Sequence, residues 1–290
     1  MNGILLIDKP SGWTSSDVVV KLKGVLHERR IGHSGTLDPM ATGLLMLFAG
    51  RATRAVEFAE AHDKRYTAHL RLGVVTDTQD VTGAVISRCA QNVTQAQLES
   101  LLPHFTGAQQ QIPPMYSAIK VGGKKLYDIA RRGGEVERKP RSIVISDIRV
   151  LGCDGGDWVL DVRCSKGTYI RTLCHDIGQA LGCGGCMSAL RRTEIGGIPV
   201  THAHTLEAVI AAAAAGTAEE LLIPVDSLWA ALPEYRADET RTRRIKCGNE
   251  IKTSALPDGD YRVYSECGEF LMLGRAQGGV MKTVKSFFEV

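Results

Sequence analysis

Long apolar runs are missing from this 290-residue chain. The longest, Gly43–Gly50 and Ala208–Gly216, fall well short of the roughly 18 residues a helical membrane span requires. The opening MNGILLIDKP has no basic segment before its apolar stretch, which argues against a secretory signal. Aromatics are few at 6%, and neither charge dominates: 35 Lys and Arg face 32 Asp and Glu, a net of +3. A histone-like polycation is therefore excluded. No repeat of 20–50 residues is visible, and the 31 glycines follow no period, so collagen-like and solenoid architectures are excluded too. What remains is the composition of an ordinary globular protein, 44% apolar and 23% charged. A soluble, cytoplasmic protein is the expectation.

The cysteines, at 89, 153, 164, 174, 183, 186, 247 and 267, show no second close pair to complete a zinc site with Cys183-Gly-Gly-Cys186. That C-x-x-C also lacks the strand-to-helix setting of a redox pair. Neither a metal nor a disulfide is expected.

The pattern alternates between strand and helix signals. Met1–Ile7 and Leu44–Phe48 read as buried strands, and Tyr66–Leu72 as a half-buried one. Ile143–Leu151 and Trp158–Cys164 read as a hairpin around Asp154-Gly155-Gly156-Asp157. Thr14-Ser15-Ser16-Asp17 caps a helix carrying Val18, Leu22, Val25 and Leu26, and Thr94 with Gln97 forms a capping box for a second. Further helices are expected over 54–61, 168–181 and 206–215. These signals predict an α+β fold rather than a doubly wound parallel sheet. A boundary is expected near Ala230–Glu234, dividing residues 1–230 from a small β-rich unit over 231–290, whose short Gly-punctuated strands have the texture of a small barrel. Basic residues cluster over Lys120–Arg149, nine against four acidic, and again at Arg241, Arg243, Arg244 and Lys246. Such patches on a balanced chain suit either phosphate binding or a solvated face.

The most informative stretch is Gly32–Gly43, GHSGTLDPMATG. It is expected as a loop between a helix and a buried strand. Pro39 biases Asp38 toward an extended or turn backbone. That carboxylate reads equally as a nucleophile or general base, or as an Asx-turn residue bonding backbone amides.

Five stretches in fixed order resemble the TruB-type pseudouridine synthases, which act on uridine 55 in the T-arm of tRNA. They are Asp8-Lys9-Pro10-Ser11-Gly12-Trp13-Thr14-Ser15; the GHSGTLDPMATG loop; Lys64-Arg65-Tyr66 with Leu72-Gly73 and Asp77-Thr78-Gln79-Asp80; Cys164-Ser165-Lys166-Gly167-Thr168-Tyr169-Ile170-Arg171; and Leu190-Arg191-Arg192-Thr193. The resemblance covers roughly residues 3–196. It implies a mixed, largely antiparallel pseudouridine synthase domain and a PUA-like C-terminal barrel, the latter on short sequence without a sharp motif. The implied partner is the T-arm of tRNA, engaged by a monomer that needs no protein partner, membrane, metal or cofactor.

By the same resemblance Asp38 is the catalytic aspartate and Arg171 the arginine that pairs with it; from local sequence alone Arg171 reads also as a phosphate contact. Tyr66 is implied to stack on the target base and handle its C5 proton, against a plain reading as a half-buried strand tyrosine. Tyr169 and Leu190 are implied to line the uracil pocket, and otherwise read as core. His33 is expected to fill the gap left by an extruded base or to cap its loop. Asp80 is expected to order the pocket or simply a turn, and Lys9 to touch phosphate or sit as a solvated turn lysine. Two rival readings are an RNA-binding module without catalysis and a guide-dependent enzyme inside a ribonucleoprotein.

Overall fold

The computed structural model describes residues 1–290 apart from Gln91, Ala118, Arg131, Ala255 and Val290. In chain order the first half contains β1 (Gly3–Lys9), α1 (Ser15–Val25), β2 (Ile31–His33), β3 (Thr42–Ala49), α2 (Val56–Glu60), β4 (Lys64–Leu72), β5 (Val74–Thr76), β6 (Val85–Arg88), α3 (Gln95–Leu101) and β7 (Gly107–Gln111). There follow β8 (Lys120–Val121), β9 (Lys124–Lys125), α4 (Leu126–Ala130), β10 (Arg141–Asp154), β11 (Asp157–Cys164), α5 (Ile170–Ala180), β12 (Gly185–Ile195), β13 (Ile198–Pro199) and α6 (Leu206–Ala215). The last stretch holds β14 (Glu234–Ala237), α7 (Glu239–Lys246), β15 (Ile251–Lys252), β16 (Gly259–Ser265), β17 (Phe270–Gln277) and β18 (Val280–Ser286). Among the described residues no helix is long and apolar enough to cross a membrane.

A mixed sheet organises the larger part, in the order β1-β3-β12-β4-β11-β10-β7. Its one parallel pairing on that path joins β3 to β12, where Arg191 and Arg192 meet Thr42 and Gly43. The apolar runs in β1 and β3 have a direct physical cause. Alternate residues feed two separate cores: Ile4, Leu6, Leu44, Met46 and Phe48 pack on one face, and Leu5, Ile7, Leu45 and Leu47 on the other. Both faces are covered, so no polar alternation survives. A third core lies under β4, β11 and α5, around Tyr66, Leu70, Leu160, Ile170, Leu173 and Leu190.

The local signals held where capping chemistry was explicit. Thr14 and Asp17 form a reciprocal capping box on α1, and Thr94 and Gln97 do so on α3. Gly155 and Gly156, both at positive φ, close the β10–β11 hairpin. The loop expected over Gly32–Gly43 begins later, because Ile31–His33 pair with β3 as a short strand. The 54–61 helix is a 3₁₀ turn over Gly50–Ala55 followed by α2.

Residues 234–286 build a second sheet in the order β14-β16-β17-β18-β15, with β14 parallel to β16. It docks through aromatic rings. Trp229 packs edge-on to Phe58 at 5.2 Å and against Phe287 at 5.7 Å, and Phe287 stacks on Phe270 at 5.2 Å. Tyr264 donates to Asp226 at 2.6 Å beside this cluster.

Candidate active site

The GHSGTLDPMATG loop is held from several sides. Ser15, at the start of α1, accepts from the Leu37 amide at 2.9 Å. Gly12 donates its amide to the Pro39 carbonyl at 2.8 Å. Leu37 and Ala41 sink into the core that contains Tyr66 and Leu190. Gly43, at φ +101°, runs so close to the β12 backbone at Arg192 that any Cβ would collide with it. Anchored at these points, the loop presents Asp38 outward.

Arg171, in the first turn of α5, meets that carboxylate as a fork. Its Nη2 donates to Asp38 Oδ1 at 3.0 Å, and Nε lies 2.9 Å from Oδ2. The guanidinium is buried and also donates to the carbonyls of Thr78 (3.2 Å) and Tyr116 (2.9 Å). Its Nη1 lies 3.8 Å from the buried Asp80. Asp80 is itself fixed, since its Oδ1 accepts from Thr78 Oγ1, the Thr82 amide and Thr82 Oγ1. A planar donor with this many acceptors has no freedom to turn, so the position of Asp38 is dictated by α5 and the 76–82 turn.

Burial pushes the Asp38 carboxyl above its ordinary value; Arg171 opposes that rise and Asp80 adds to it. Burial likewise raises the Tyr66 phenol, with the Arg192 cation opposing. The Tyr66 side chain belongs to the same apolar cluster as Leu37 and Leu190, so the loop, β4 and β12 converge on one wall. Tyr169 stands immediately before α5, its backbone bracketed by Gln111 through bonds of 2.8 and 3.0 Å. Burial raises its phenol as well. His33 ends β2 with Nδ1 buried and without a hydrogen-bond partner, and burial followed by the Arg192 cation holds its pKa down. It therefore sits on a paired strand rather than in a free loop.

Lys9 lies in neither of its expected places. It is fully buried, and its ammonium donates to the carbonyls of Pro10 (2.9 Å), Trp13 (2.7 Å) and Pro39 (3.3 Å). Burial lowers its pKa to about 8. Its work is to tie the 10–13 turn to the residue after Asp38, so a direct phosphate contact is ruled out by geometry. The 120–149 patch is open to description only in part: Arg131 lies outside the described residues, and the side chains of Lys120, Lys124 and Lys125 do too. The second basic cluster is largely self-neutralised, with Arg241 on Asp238, Arg243 on Glu239 and Lys246 on Glu269.

Sequence reasoning missed two groups. Lys64 is buried with its ammonium on the carbonyls of Glu60 and His62, both at 2.6 Å. Arg192, among the largest fully buried side chains, was visible only as part of a motif. Among the described residues no cluster of His, Cys, Asp or Glu is arranged to hold a metal ion.

A carboxylate locked by an arginine, beside a buried tyrosine on a mixed sheet, is the arrangement that the resemblance to pseudouridine synthases implies, and solved structures bear on the fold. The chain aligns with the structure described as a Cbf5-Nop10-Gar1 complex at a TM-score of 0.74 and 26% identity, covering 99% of this chain and 85% of that one. The H/ACA RNP bound to a substrate RNA containing 2′-deoxyuridine gives a TM-score of 0.74 at 24% identity, a likeness of fold. Residues 23–170 match the model of the TruB family pseudouridylate synthase N-terminal domain, and residues 171–230 that of the tRNA pseudouridylate synthase B C-terminal domain. The chain belongs to the TruB family of pseudouridylate synthases. It is 43% identical over 282 residues to the tRNA pseudouridine synthase B of Azoarcus sp. (strain BH72), covering 97% of this chain and 93% of that protein. The enzyme of the same name from Ralstonia pickettii (strain 12J) is also 43% identical, with the same coverage.

Proposed function

We propose that this chain isomerises uridine to pseudouridine at position 55 in the T-arm of tRNA, with Asp38 as the catalytic carboxylate. The observation that carries the assignment of residues is the two-point Arg171–Asp38 pairing at 2.9 and 3.0 Å, in the family's sequence setting. The reaction breaks the bond between N1 of the base and C1′, turns the uracil, and joins C5 to C1′. A proton leaves C5 and one is gained at N1, so atoms and electrons balance without an external oxidant, hydride donor or water.

The carboxylate acts as nucleophile toward C6 or C1′, or takes a sugar proton; each route needs it ionised. Arg171 supports the ionised form in a site where burial opposes it. Tyr66 stacks on the uracil in this reading; its phenol, kept neutral by burial, takes up the C5 proton only as it passes its own proton on, and Tyr169 and Leu190 flank the base. Asp80 holds Arg171, and His33 lies at the rim where an extruded base leaves its gap. The target base must leave the folded arm to reach Asp38, at an unstacking cost of a few kcal/mol. We assign residues 1–230 to catalysis and 231–290 to a PUA-like contact on the acceptor side of the tRNA. The reading includes a cytoplasmic monomer acting without a protein partner.

The test is isomer mapping of unmodified tRNA after incubation with the purified chain alone, since uridine and pseudouridine have equal mass. Conversion confined to position 55, absent with Asp38→Asn, is expected. A requirement for guide RNA or added proteins would transfer the chain to the ribonucleoprotein-bound type; binding without conversion would leave an RNA-binding module.

A further inference from the structure

Arg192 is buried without an anionic partner. Its exposure is 1%, and no carboxylate among the described residues lies within ion-pair distance. A charge in that position is expensive unless its donors are spent on a defined purpose. Nε donates to the Leu44 carbonyl at 2.7 Å, and Nη2 to the Gly35 carbonyl at 3.2 Å. Gly35 begins the loop that carries Asp38, and Leu44 lies just beyond its end. One guanidinium thus spans both ends of the loop. The third direction faces β4, where Arg192 and Tyr66 are register partners across the β4–β12 pairing. A guanidinium has donors and no acceptor, so its bond to the phenol falls on the oxygen lone pairs and leaves the phenol proton unengaged by Arg192.

We infer that Arg192 is a positioning residue for the isomerisation: it fixes the Asp38 loop at both ends and sets the Tyr66 hydroxyl relative to Asp38. The inference rests on the reading of Asp38 and Tyr66 given above. A neutral side chain of similar length cannot hold two carbonyls and a phenol together. A lysine keeps the charge but offers one ammonium in place of a planar fork. Displacement of the reacting groups by about 1 Å is enough to slow such chemistry roughly 100-fold.

The test compares wild type, Arg192→Gln and Arg192→Lys by tRNA affinity, by single-turnover rate at saturating tRNA, and by thermal midpoint. Arg192→Gln is expected to bind tRNA within about threefold of wild type while its rate falls roughly 100-fold, with Arg192→Lys between the two. A rate within threefold of wild type in a variant that binds tRNA would overturn the inference. So would losses of affinity and rate that merely follow the fraction of folded protein. Should Arg192→Gln fail to fold, Arg192→Lys decides on the same readings, a tenfold or greater loss of rate at unchanged affinity being expected. Wild-type protein that forms no pseudouridine would instead defeat the assigned activity itself, so the two failures are distinguishable.

Discussion

Asp38 illustrates how a single carboxylate is tuned by opposing neighbours. Burial and Asp80 push its pKa up, and Arg171 pushes it down, with burial prevailing. If turnover needs the ionised form, activity is lost as pH falls through this raised value, so the acid limb of the single-turnover rate should stand above the ordinary Asp value of 3.8. Asp80→Asn removes a raising influence and should move that limb to lower pH; a limb that stays in place would show that Asp80 acts through geometry alone. Asp38→Asn should abolish turnover and leave tRNA affinity within a few-fold, because affinity comes from phosphate contacts rather than from the reacting group. Retention of more than a few per cent of the wild-type rate would contradict the assignment. Arg171→Lys should be severely impaired, since a point charge cannot meet both carboxylate oxygens and the Thr78 and Tyr116 carbonyls.

At the level of elements, β4 and β11 are tied by more than their ladder. Arg65 forks onto Asp161 with bonds of 2.8 and 2.6 Å, Arg149 adds a third at 3.1 Å, and Arg71 forks onto Asp157 at 2.9 Å twice. Asp161 is buried and its pKa is lowered, first by the Arg65 hydrogen bonds. The contribution to stability is therefore present above the ordinary Asp value and lost as pH falls through the lower folded-state value. Asp161→Asn should cost about 1–2 kcal/mol in urea denaturation at pH 7, and the gap should narrow below the ordinary value of 3.8. Strands of this kind, alternating around Tyr66 or Ile143, were legible from sequence, as were helices with explicit caps. β12 was not, though it lies between β3 and β4 at the centre of the sheet. Its sequence GCMSALRRTEI places two arginines side by side and uses helix-favouring Ala and Leu, so no period-2 pattern emerges. The same blindness hid Arg192: a buried cation reads as a surface residue until the carbonyls that receive it are brought together. Lys9 failed for the same reason, while Asp38 was legible because its loop motif is specific.

Across the whole molecule, free basic side chains are distributed unequally. Arg132, Lys139, Arg141 and Lys166 are exposed and form no ion pair among the described residues, whereas most of the α7 cations are paired with carboxylates. Replacing those four by Ala should weaken tRNA binding and reduce its salt slope by about 0.7–0.9 for each lost phosphate contact. Unchanged slopes would place the grip elsewhere. The two sheets should also melt together. Trp229, Phe270 and Phe287 join a core that contains Ile4, Leu6 and Phe48, so Trp229→Ala should lower stability by roughly 2–4 kcal/mol. Calorimetry should record one transition, and two separated peaks would count against this coupling. The shared core has a further consequence during synthesis. Ile4 and Leu6 emerge from the ribosome far ahead of the Phe287 that packs beside them. Until Phe287 is made the nascent chain carries an open apolar face that lacks this partner, which favours holding by chaperones and late closure.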